Sequence, residues 1–277
     1  MTPNTPGPAP SDESETEHFR VVVFGHVDDP TELKQILTEC AGVHPDDAMT
    51  AASLVPGILP MRFSRDVAQA VTDQVGRRGI RAIWLPEAEI PRLDHAEMIH
   101  YARCQPHGLE LLDIHGRLKR LVRWPDSSLL SVGCVPLEDG RRFSAEPQVV
   151  VHAAPNPHRA GTETGRRDGL ILWTACERPE KVYRLIHNQM NYEYLGPRKS
   201  ASATRNFGLF MEDLVRQAPQ AFLTPATRAL LQHGLRRHFE FQSADELRNY
   251  TAFHILVLRG LSPAADAVRK RAPAPVP

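Results

Sequence analysis

Phe19-Arg20-Val21-Val22-Val23-Phe24-Gly25, with Asp29-Pro30-Thr31-Glu32 just downstream, is the stretch on which the fold turns. Three consecutive valines between phenylalanines, closed by a glycine, read as a strand. Asp29 then offers a carboxylate N-cap, Pro30 the fixed φ of a first helical position, and Glu32 an acid in the first turn. Leu33, Ile36 and Leu37 give that helix one apolar stripe, and Gly42 ends it. A second helix runs from Pro45 through Ala48, Ala51, Ala52 and Val55 to the Pro56-Gly57 break. Ile58 to Phe63 reads as a short strand, and Ser64 opens a third helix carrying Val67, Ala68, Val71 and Val75 as far as Gly79. Ile80 to Leu85 is a closing strand. Residues 19–86 are therefore predicted to be a two-layer βααβαβ domain of the α+β class.

Outward from this domain the texture changes. Residues 1–18, made of Pro, Ser, Thr and acids, predict a disordered tail, and 262–277 predict a second, basic one. Residues 87–105 predict a linking helix with Leu93, Met98 and Tyr101 as packing positions. Residues 106–261 predict an antiparallel β-rich domain closed by C-terminal helices. Its strands are Gly108–Asp113, Leu118–Trp124, Leu129–Val135, Gln148–Ala153 and Leu170–Cys176, with Lys181–Ile186 paired to the last across an Arg178-Pro179 turn. The polar, Gly-containing stretch 155–168 reads as a mobile loop. Three helices follow. Ser202 opens one with Phe207, Phe210, Met211 and Leu214, and Thr224-Pro225 opens one with Leu230, Leu231 and Leu235. The capping box Ser243-x-x-Glu246 opens one with Leu247, Tyr250, Phe253 and Leu256.

With 277 residues, 42% of them hydrophobic and 24% charged, the chain has the composition of a soluble globular protein. Lys+Arg and Asp+Glu each total 33, which argues against a general nucleic-acid or anionic-membrane binder. No apolar run reaches the roughly 20 residues of a membrane span. The start of the chain lacks the basic and apolar regions of a secretion signal, and the four cysteines are widely spaced, so a cytoplasmic protein with buried thiols is expected.

Gly42, Ala48, Pro56, Leu59, Ser64, Ala68, Ala70 and Gly79 fall on turn, core and capping positions, and through them residues 19–86 resemble the C-terminal domain of the bacterial ribosomal stalk protein. In that family a lysine-bearing face of the first helix recruits translation GTPases. Here the face carries Thr31, Glu32, Gln35 and Thr38 with Lys34 as its only lysine, and Asp46 and Asp47 stand where the family is basic. The resemblance implies the family's fold and not its recruiting function. The adaptor of the Clp protease shares the topology. Its Asn-Asp-Asp segment, which holds a substrate's terminal amine, is similar to Asp28-Asp29 here. The two carboxylates equally serve as N-cap and helix-dipole charges. The strand meander with a helix behind it resembles pleckstrin-homology-like modules.

Of chemistry-bearing motifs, a P-loop, a G-x-G-x-x-G turn, a G-x-S-x-G elbow and an H-E-x-x-H helix are all missing. His233 and His238 are predicted on one helix, but five residues apart they face about 140° from each other. No cofactor or metal is expected. Between Arg141 and Arg205 there are 11 Lys/Arg against 6 Asp/Glu, and Arg166 and Arg167 in the predicted loop are candidates for contacting an acidic partner or phosphates. Tyr192-Glu193-Tyr194, read as a strand, puts both rings on one face. Two functions result. One is a non-enzymatic protein-interaction or scaffold protein. The other is a ligand-binding or enzymatic pocket between the sheet and the C-terminal helices, lined by Arg184, Tyr192, Glu193 and Tyr194.

Overall fold

The computed structural model describes residues 17–137, 167–177 and 180–261. The predicted tails apart from residues 17 and 18, the strand at 148–153 and nearly all of the predicted loop at 155–168 lie outside them. The chain divides into two compact units between Ile90 and Pro91.

In the first unit β1 (Phe19–Val23) is followed by α1 (Pro30–Ala41), α2 (Pro45–Ser53), β2 (Gly57–Ile58), α3 (Arg65–Arg77) and β3 (Ala82–Pro86). This is the βααβαβ order that the caps and apolar stripes predict. The strands form an antiparallel sheet in the order β2-β1-β3. Asp29 caps α1 by accepting from the Thr31 amide at 2.8 Å, and Gly42 at φ 62° closes it. Phe19, Val21 and Val23 pack with Leu33, Ile36 and Leu37 of α1, with Ala48, Ala51 and Ala52 of α2, and with Ala68, Val71 and Val75 of α3. The three small side chains of α2 bring that helix close to α1. Arg20 lies across the sheet, donating twice to the Leu59 carbonyl at 3.1 and 2.8 Å.

Residues 87–105 are not a linking helix. A 3-10 turn, Glu87–Glu89, leads into β4 (Glu97–Met98) and β5 (Ala102–Gln105). Pro86 and Pro91 interrupt any helix there, and the segment's backbone groups pair with other strands instead. Local propensity yields to sheet pairing.

In the second unit β5, β6 (Gly108–Leu112) and β7 (Leu118–Val122) form a small antiparallel sheet, with Gly116 at φ 75° in the predicted turn. A 3-10 turn at Trp124–Asp126 then breaks the expected continuous meander. Beyond it β8 (Ser127–Leu137), β9 (Arg167–Glu177) and β10 (Glu180–Ile186) build a separate sheet. β4 joins it beside β10 and β11 (Phe222–Leu223) beside β8, both in parallel, giving the order β11-β8-β9-β10-β4. The helices α4 (Ala203–Gln217), α5 (Pro225–Leu231) and α6 (Ala244–Leu256) follow the predicted caps: Ser202, Thr224 and Ser243 each accept an amide of the first turn.

Both faces of the larger sheet are covered, and the period of two along its strands separates them. On the inner face Leu130, Val132, Leu172, Tyr183 and Leu185 share a core with Phe207, Phe210, Met211 and Leu214 of α4 and with Leu109, Leu111 and Val122 of the small sheet. The outer face carries Leu129, Ser131 and Gly133 of β8 and packs against α6. A Cβ on Gly133 would lie 2.6 Å from the Phe241 ring and 2.7 Å from Leu247, so the glycine is what lets α6 approach.

Candidate functional site

One lateral row crosses the outer face. Ser131 on β8 pairs with Trp173 on β9, Trp173 with Arg184 on β10, and Arg184 with Met98 on β4. Partners in register project to the same side of a sheet, so these four side chains stand next to one another. The helix α6 covers one end of the row. Thr251 donates to the Leu247 carbonyl at 2.8 Å and accepts from Ser131 at 2.8 Å, which leaves Ser131 with no exposed surface and Trp173 with 2%. Arg184 and Met98, at the other end, are half-buried. Arg248 is three residues before Thr251 and so lies on the same side of α6. It pairs with Asp245 at 2.9 Å, and that carboxylate is 79% exposed.

The row is rich in donors and poor in acceptors. The Arg184 guanidinium lies over the Trp173 ring, 5.6 Å from its centroid, a cation–π geometry. Burial lowers its pKa and the nearby charge of Arg248 lowers it further, yet an arginine stays protonated at neutral pH. Among the described residues no carboxylate pairs with it and no side-chain hydrogen bond satisfies it. Trp173 Nε1 is also buried without a hydrogen-bond partner, a deficit of about 1–3 kcal/mol for such a group.

His254, one turn beyond Thr251, is a second buried group with an unpartnered nitrogen, Nδ1. Its ring stacks edge-on against Tyr250 at 4.5 Å and lies 5.7 Å from the Phe222 ring. Burial, helped by the charge of Arg228, pushes its pKa down to about 4.

The residues singled out from the sequence do not converge. Tyr192-Glu193-Tyr194 is not a strand: Tyr192 precedes a 3-10 segment, Glu193–Arg198, kinked at Gly196 and containing Pro197. Neither residue suits the middle of a strand. Tyr192 donates to the His187 carbonyl at 2.7 Å and Tyr194 to Asp213 at 3.1 Å, while exposed Glu193 pairs with Lys199. Asp213, buried on α4, also accepts from Arg198 at 3.0 and 2.6 Å and from Arg216. This carboxylate ties the 3-10 segment to α4. Both tyrosines belong to the inner-face core and Arg184 to the outer face, so no single pocket uses all three. Asp28 and Asp29 are exposed. The Thr31 hydrogen bond holds the Asp29 carboxyl below the usual carboxylate range. Arg166 lies outside the described residues, and of Arg167 the backbone is described, at the start of β9.

The predicted His233–His238 helix stops at Leu231. His233 sits at φ 54° and His238 in a 3-10 turn. Among the described residues no group of three or more His, Cys, Asp or Glu side chains is placed to hold a metal. Burial pushes the Cys104 and Cys176 thiols up to about 12, far from the thiolate form a nucleophile needs.

Trp173, Arg248, Ser131 and Thr251 are the site residues that motif searching misses. One signal for them was present. A strand pair closing just before Lys181, as the sequence predicts, has Glu177 opposite Glu180 and, four residues outward, Trp173 opposite Arg184 in the observed register; the predicted turn at 178–179 lies outside the described residues. No family model matches the chain, and no curated protein or solved structure matches it either. Among the described residues no helix is long and apolar enough to cross a membrane.

Proposed function

We infer that the protein is a non-enzymatic binding protein, and that its second unit receives an acidic group of a protein partner at Arg184. The observation that carries this reading is the half-buried guanidinium over the Trp173 ring with no carboxylate paired to it among the described residues. Taking a cation partly out of water is costly unless an opposite charge meets it. A partner's carboxylate or phosphate repays that cost on binding, and the planar fork of arginine suits both. The four free cysteines support a reducing, cytoplasmic setting. The βααβαβ order of the first unit supports the resemblance to the stalk-protein domain as a reused fold, and the scarcity of lysine on α1 supports a different job for it.

Quantitative capture of partners on the immobilised full chain, in parallel with Arg184→Glu, tests the reading. The expected result is a set of proteins retained by the wild type at low salt and lost on charge reversal, with thermal stability little changed. Equal capture by both chains contradicts it.

A further inference from the structure

The charges around Arg184 specify more than an acidic group. Arg184 is fixed by the Trp173 ring, and Arg248 approaches it from α6, the helix anchored to the same row through Thr251 and Ser131. The acid on this pair, Asp245, is exposed and bound to Arg248 alone. Glu180, also on this side of the sheet, is already taken in an ion pair with Arg259. Two guanidinium groups thus have one carboxylate beside them, and it pairs with Arg248 and not with Arg184. A carboxylate brings one charge and two oxygens. A phosphate monoester brings about −1.5 to −2 charges and three acceptor oxygens, so it meets both arginines at once. Half-buried Met98 ends the row with an apolar side chain against which the group carrying the ester can rest.

We propose that the Arg184–Trp173–Arg248 site binds a phosphate monoester carried by a protein partner, with Asp245 as the internal anion it displaces. This rests on the reading of Arg184 as the binding centre and goes on to name the group bound.

Tryptophan fluorescence of the full chain, titrated with N-acetyl-O-phosphoserine amide, N-acetylglutamate amide and inorganic phosphate, tests it. At pH 7.5 the phosphoserine probe should bind about ten-fold more tightly than the glutamate probe, as charge-assisted pairing with two arginines requires. Arg184→Gln and Arg248→Gln should each weaken it about ten-fold, and Asp245→Asn should strengthen it about two- to three-fold by removing the competing carboxylate. Lowering the pH to 5.5 should weaken phosphoserine binding, because the phosphate regains a proton near pH 6. The glutamate probe should hold, since its own carboxylate remains ionised there. Equal binding of the phosphoserine and glutamate probes overturns the phosphate assignment and leaves Arg184 as an acid-binding centre. Equal binding of inorganic phosphate and phosphoserine overturns the partner-borne ester in favour of free phosphate. Failure of every probe to respond overturns this proposal and the reading beneath it.

Discussion

Among single residues, His254 shows most clearly how burial becomes a property of the whole fold. In the unfolded chain its imidazole takes a proton at the ordinary value of 6.5. In the fold, burial and Arg228 hold that event down to about 4. Between these values the unfolded state binds a proton that the folded state refuses, so stability falls as the pH drops from about 6.5 to about 4 and this contribution levels off below. His187, whose pKa burial also lowers, acts in the same direction. His254→Phe keeps an aromatic ring against Tyr250 and removes the titration. Denaturant melts from pH 7 to pH 4 should therefore show the wild type losing about 2–3 kcal/mol more than the variant. Parallel losses in the two chains would mean that His254 is not buried as described.

Among the elements, the 3-10 segment Glu193–Arg198 depends on a carboxylate of another element. Asp213 accepts from Tyr194, Arg198 and Arg216 while itself 3% exposed. A buried anion stripped of its charge leaves its partners uncompensated, although the two arginine heads are 47% and 64% exposed and solvent softens the loss. Asp213→Asn should cost about 1–3 kcal/mol in chemical denaturation. Amides of residues 193–198 should then exchange faster than those of the sheet. Unchanged exchange in this segment would show that it is held by the Tyr192 and Leu195 packing alone.

The same elements show what sequence discloses and what it does not. Caps and stripes are local, so α1 to α6 were all legible from residues such as Asp29, Thr224 and Ser243. Which strand lies beside which is not local. Glu97–Met98 and Phe222–Leu223 are too short to have a pattern, and they become strands because β10 and β8 offer them edges. The site was half legible. Arg184 stood out, and the predicted pairing of 181–186 with 170–176 brought it near Trp173, but the arrival of Arg248 depends on how α6 lies across the sheet. Tyr192-Glu193-Tyr194 alternates as a strand would, but Gly196 and Pro197 just downstream end a strand rather than continue it.

At the scale of the whole molecule, each unit closes around its own core, and the proposed binding centre lies in the second. The inner face of the larger sheet is sealed by α4 and the small sheet. On the outer face α6 covers the β8 end of one row and leaves Arg184 and Met98 half-buried at the other. Arg184, over the Trp173 ring and with no carboxylate paired to it among the described residues, is the group proposed to meet an anion from outside. The indole N–H resonance of Trp173, assigned through Trp173→Phe and followed while N-acetyl-O-phosphoserine amide is added to the full chain, reads that meeting at the site itself. The Trp173 signal should move in proportion to occupancy, while those of Trp84 and Trp124 stay in place, and it should remain still in Arg184→Gln. A Trp173 signal that ignores the probe in the wild type, or moves equally without Arg184, would contradict the account.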